Sequence, residues 1–153
     1  MKILAAYKPS PLGEAVLAAA TREARLRNAE LLIARHVRQE ASRVSGPLAL
    51  MDPGPGQAAS PSGGGDGIAK LREDLESLAW QVRSGGVDCD AVLIADGENP
   101  ADALLDLARN AHVDLMVVGI RRRSAVGKAV LRGEAQRLLL EAECAVLAVK
   151  PSE

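Results

Sequence analysis

Phenylalanine is absent from the 153 residues, and the aromatic share is 1%, supplied by a single Trp80 and a single Tyr7. A chain so poor in rings has no row of stacking platforms for single-stranded nucleic acid. An excess of one charge is missing too: 19 Lys and Arg stand against 20 Asp and Glu, for a formal net charge of -1. A dedicated nucleic-acid binder would be strongly basic, so that partner class is excluded and any anion binding must be local. Cysteine is scarce. Cys89 and Cys144 lie far apart without CxxC spacing, which argues against a zinc site or a disulfide framework and leaves both as small buried hydrophobes. No apolar run approaches the ~20 residues of a membrane span, and the run in Met1 to Lys8 is too short for a signal peptide. A cytoplasmic protein with no membrane partner is expected.

What the chain does have is length for one core and a regular alternation of apolar runs with amphipathic stretches. A domain of this size buries roughly two thirds of the surface its unfolded form exposes, so neither metal nor disulfide is needed for stability. Ile3 to Tyr7 reads as a first strand, closed by Lys8-Pro9-Ser10-Pro11. Val16, Leu17, Ala20 and Ala24 then recur at helical spacing between Leu12 and Arg27, with Glu14 near the start and Arg22, Arg25 and Arg27 near the end, as the helix dipole prefers. Leu31-Leu32-Ile33-Ala34 is a second strand, apolar on both faces and ending near His36-Val37.

The segment from Gln39 to Gly67 holds half of the 14 glycines and half of the 8 prolines. It can bury little and reads as a flexible insertion, its Gly63-Gly64-Gly65-Asp66-Gly67 being a linker and not a phosphate loop, because no strand precedes it. Ile68, Leu71, Leu75, Leu78 and Val82 restore helical spacing up to about Arg83, and Ser84-Gly85-Gly86 ends that helix. Trp80, on this second helix, reads as a core or rim anchor. Val87 to Ala95 is a third strand, and Asn99-Pro100-Ala101-Asp102 starts a third helix running to about Ala111. Leu115-Met116-Val117-Val118-Gly119 is a fourth strand. Glu134 to Ala142 is a fourth helix with Ala135, Leu138, Leu139 and Ala142 on one face, and Ala145-Val146-Leu147-Ala148-Val149 is a fifth strand. Five apolar strands alternating with four helices predict a doubly wound parallel α/β sheet in a single domain, with ligands beyond the carboxyl ends of the strands.

One such end carries the chain's densest positive charge. Val117 to Gly133 contains Arg121, Arg122, Arg123, Arg132 and Lys128 together with Gly119, Gly127 and Gly133. Two readings stand: an anion site built from arginines, which bind phosphate by charge and bidentate hydrogen bonds, or a solvated basic loop. A Walker loop is excluded, since Arg122 stands where its first glycine would be and Ala129 follows Lys128 where Ser or Thr would hold magnesium. His36 and His112 have no nucleophile motif beside them, so no catalytic role is expected for either.

The order of elements, with Ile3-Leu4-Ala5-Ala6-Tyr7 at the start, Val117-Val118-Gly119 before the basic loop, and Ala135-Gln136-Arg137-Leu138-Leu139-Leu140-Glu141-Ala142-Glu143-Cys144-Ala145-Val146-Leu147-Ala148-Val149-Lys150 at the end, resembles the universal stress protein family over nearly the whole chain. The resemblance implies a Rossmann-like sheet of the adenine nucleotide alpha-hydrolase type with strand order 3-2-1-4-5, a non-enzymatic stress-response role, and a homodimer through strand five, from Ala145 to Val149. Its implied ligands are ATP, AMP or another phosphate-bearing molecule. Carried onto this chain, the ligand-facing positions are Ala6, Tyr7 and Lys8, Val37, and Gly119, Arg121, Arg122, Arg123, Gly127, Lys128, Arg132 and Gly133. The chain departs from the nucleotide-binding pattern of Gly, two residues, Gly, nine residues, Gly, then Ser or Thr. Gly119 matches, but Arg122, Arg132 and Gly133 occupy the other three positions, and Lys8-Pro9 stands where relatives have Asp-Gly. The expectation is weak, altered or lost nucleotide binding. The alternatives are an ATP-binding member with slow hydrolysis and a pure interaction module.

Overall fold

A computed structural model describes residues 1–37, 65–95, 99–121 and 133–151. The elements are β1 (Lys2–Ala6), α1 (Pro11–Arg27), β2 (Glu30–His36), α2 (Gly65–Ser84), β3 (Cys89–Ile94), α3 (Pro100–Asn110), β4 (Leu115–Gly119), α4 (Glu134–Glu141) and β5 (Ala145–Val149). Their ends follow local chemistry. The Ser10 hydroxyl oxygen accepts from the Gly13 N–H at 3.0 Å with Pro11 at the first helical position, and Asn28, left-handed at φ 51, closes α1. The Asn99 side chain caps α3 in the same way, accepting from the Ala101 N–H. α2 begins at Gly65, three residues before Ile68, where its apolar stripe starts. The rest of the glycine- and proline-rich insertion lies outside the described residues.

All strand pairs are parallel and the sheet order is β3-β2-β1-β4-β5, the order the family resemblance implied. Alternating side chains divide the core in two. Ile3, Ala5 and Tyr7 of β1 and its end pack with Val16, Leu17 and Ala20 of α1 and Leu75 and Ala79 of α2. Leu4 faces the other way, among Leu104, Leu105 and Ala108 of α3 and Leu138 of α4. α1 and α2 thus cover one face of the sheet, and α3 and α4 the other.

Cys89 is 2% exposed, and burial pushes its thiol up to about 11, so it behaves as the small hydrophobe expected. Cys144 is half-buried, with its thiol also raised, chiefly by burial. Trp80 departs from expectation. It is 64% exposed, because at 3.6 residues per turn it lies about 100° round the helix from the buried Ala79, ~140° from Leu75 and ~160° from Val82. Phase along the helix outweighs the size of its ring.

Candidate functional site

β1 and β4 are neighbours, but β1 leads to a helix on one face and the chain beyond β4 leads to α4 on the other. At such a reversal the loops diverge and open a crevice at the carboxyl ends of the strands. A cleft of about 740 Å³ lies there. Ala6, Val118 and Gly119 form its floor, Leu12, Gly13 and Val16 one wall, and Gly133, Glu134, Ala135 and Leu138 the other, with Lys8, Ser10, Ile120 and Arg121 around them.

Two glycines set the shape of this cleft. A Cβ on Gly13 would stand 1.6 Å from the Lys8 carbonyl oxygen, so the loop after β1 folds directly onto the first turn of α1 only because that position has no side chain. A Cβ on Gly119 would meet Leu12 Cγ at 2.7 Å. Gly119 therefore seats the leucine that leads α1. The same Gly119 is the position that matches the first glycine of the family's nucleotide signature.

Among the described residues, charge in the cleft is partly cancelled. Lys8 Nζ reaches Glu134 Oε2 at 2.5 Å, joining the end of β1 to the first residue of α4. Gly133, at φ 80, precedes α4 and supplies no side-chain cap, so among the described residues no capping oxygen meets the first amides of that helix, whose start lines the cleft. Arg121 is exposed at the rim.

Of the residues the sequence singled out, the cleft brings together Ala6, Lys8, Gly119, Arg121 and Gly133. Tyr7 turns away. Its ring is 6% exposed within the α1 core, and its hydroxyl donates to Glu14 Oε1 at 3.0 Å; burial first and Glu14 second raise its pKa. Val37 sits beyond β2, where its N–H donates to the Ile94 carbonyl at 2.9 Å, and it is not part of the cleft lining. Arg122, Arg123, Gly127, Lys128 and Arg132 lie outside the described residues. Sequence reasoning missed Ser10, Leu12, Gly13, Val16, Glu134, Ala135 and Leu138. The available signal was the Ser10-Pro11 helix start directly after β1, which puts the first turn of α1 at the carboxyl edge of the sheet. His36 ends β2 and His112 follows α3 at φ 53; neither lines the cleft. Among the described residues no group of three His, Cys, Asp or Glu side chains is placed to hold a metal ion.

Comparison with known proteins matches residues 1–150 to the Universal stress protein family. A universal stress protein of Mycolicibacterium smegmatis is 47% identical over 55 residues, which is 36% of this chain and 42% of that protein. The chain thus spans under half the length of that curated relative. Among solved structures, a universal stress protein in complex with cAMP superposes with a TM-score of 0.68 at 20% identity, over 99% of this chain and 98% of the other. The universal stress protein from Archaeoglobus fulgidus in complex with dAMP does so with a TM-score of 0.61 at 21% identity, over 97% and 95%. At these identities the structural likeness is one of fold.

Proposed function

The chain belongs to the universal stress protein family, and from that premise we propose that it is a non-enzymatic, homodimeric regulatory protein of the cytoplasm whose cleft takes an adenine nucleotide in an altered manner. The observation that carries the reading is the position of the cleft, at the strand-order reversal and against the uncapped start of α4. Its apolar floor and walls, Ala6, Leu12, Val118 and Leu138, suit a flat base, and the α4 amides suit a phosphate. Fold relatives solved with cAMP and dAMP make adenine nucleotides the first ligands to try. In the sequence, Arg122 and Arg132 stand at two of the signature's glycine positions, and arginine binds phosphate by charge and bidentate hydrogen bonds.

Calorimetric titration of the full chain tests this. AMP, cAMP and ATP are expected to give measurable binding at up to millimolar concentration, weaker in Arg121→Ala by up to about fivefold, as one exposed ionic contact contributes, and ATP is expected to be recovered unhydrolysed. No heat from any of the three at millimolar concentration would leave only the interaction-module reading.

The homodimer rests on β5. It is an edge of the sheet, its residues Val146 to Val149 are only half-buried, and no charge falls within the strand. The opposite edge, β3, carries the exposed Asp90 and is blunted by it. A two-fold pairing of β5 with its copy covers a bare apolar edge. Sedimentation is expected to show a dimer for the wild type and a monomer for Val146→Lys; a monomer in both sinks the pairing. Among the described residues no helix is long and apolar enough to cross a membrane.

A further inference from the structure

The first residue of α4 is itself an anion. Glu134 carries its carboxylate at the amino end of the helix, where the dipole favours negative charge, and Lys8 reaches it across the mouth of the cleft at 2.5 Å. The Lys8 side chain is 59% exposed and that of Glu134 24%, so the bridge itself is weak, as solvated ion pairs are. A ligand can open it at little cost. What remains when it opens is the carboxylate, fixed by the helix at the place where a ligand's phosphate would meet the uncapped amides. Among the described residues lining the cleft, Lys8 and Arg121 are cationic and Glu134 is the one anion. Neutralising Glu134 therefore removes the anion that the described lining sets beside Lys8 and Arg121.

Resting on the nucleotide reading above, we propose that Glu134 is the residue that limits how much phosphate the cleft accepts. Its carboxylate stands at the start of α4 in place of a ligand's terminal phosphate, so nucleosides and monophosphates are preferred over triphosphates. Lys8 and Arg121 stand on the same lining as Glu134 and attract a phosphate. Each further phosphate adds charge beside Glu134, and like charge opposes it. Lys8 acts in the opposite sense, by masking Glu134 and, once released, by meeting the ligand.

The test is calorimetry of wild type, Glu134→Gln and Lys8→Gln with adenosine, AMP and ATP, at fixed salt and with a chelator so that no divalent ion screens the phosphates. Wild type is expected to bind AMP at least as tightly as ATP. Glu134→Gln raises ATP affinity about fivefold relative to AMP, the size of one like-charge contact at ~4 Å screened by water, and Lys8→Gln lowers the affinity for both nucleotides. Adenosine, which carries no charge there, binds all three proteins alike. If AMP binds and the ATP to AMP ratio is the same in Glu134→Gln as in wild type, the selecting role is overturned and the nucleotide reading survives. If none of the three molecules binds any of the proteins, both fall together.

Discussion

Replacing Gly13 with alanine is expected to lower stability by about 2 kcal/mol, although glycine to alanine inside a helix normally gains up to ~1 kcal/mol from propensity alone. The opposing term is steric. The new Cβ would stand 1.6 Å from the Lys8 carbonyl oxygen, a backbone atom that cannot swing aside as a side-chain tip can. Relief requires the loop after β1 to retreat, and overpacking of that kind typically costs ~1–3 kcal/mol, occasionally more. The retreat also pulls Lys8 from Glu134 and distorts one side of the cleft. Gly67→Ala is the matched control: it lies in the first turn of α2 with nothing within 4 Å of an added Cβ, and is expected to raise stability by a few tenths to ~1 kcal/mol. Denaturant unfolding of both variants decides the matter by sign. A gain for Gly13→Ala would mean that the close approach of loop and helix is absent in solution.

Leu138→Ala is expected to cost about 3 kcal/mol and to weaken with it the nucleotide binding proposed for the cleft. α4 has 8 residues, too few to persist as a helix by itself. Among the described residues, three contacts tie it to other elements. Leu138 is 1% exposed in the core beneath α3, Arg137 pairs with Asp102 of α3 at 2.5 Å, and Lys8 pairs with Glu134. Truncating a buried leucine costs ~2–5 kcal/mol, against ~0–1 kcal/mol for a solvated ion pair. The leucine dominates, and it also lines the cleft. In a domain of this size the loss corresponds to a Tm lower by roughly 6–12 °C. Leu140→Ala, at a position 75% exposed, is expected to stay within ~0.5 kcal/mol of wild type. Similar losses for the two leucines would show that α4 is not pinned where the structure has it.

The sheet was legible because its signals are local. Each strand is a short apolar run of its own, as Leu115 to Gly119 illustrates, and α1 and α3 announce themselves through Ser10-Pro11 and Asn99-Pro100. What failed to show were the contacts that depend on register between distant segments. Lys8 and Glu134 are 126 positions apart, and nothing about either residue alone indicates the other. Gly13 looked like an ordinary residue in a helix start, since its necessity comes from where a carbonyl oxygen arrives. Trp80 misled for the opposite reason: a large ring is read as an anchor, whereas the phase of Leu75, Ala79 and Val82 turns that position outward. Tyr7, one residue before Lys8, alternates to the α1 side of the sheet, and that alternation keeps its ring out of the cleft.

The division of the interior into two cores gives the cleft a mechanical character. Val16 belongs to the core on one face of the sheet and Leu138 to the core on the other, and both line the same opening. The sheet separates these layers along its length, but at the mouth they come into view of one another. A molecule lodged there closes a seam between two halves of the protein, where a ligand buried in either core would brace only one. Amide hydrogen exchange is the natural readout of such a clasp: protection would spread along the first turn of α1 and through α4 together.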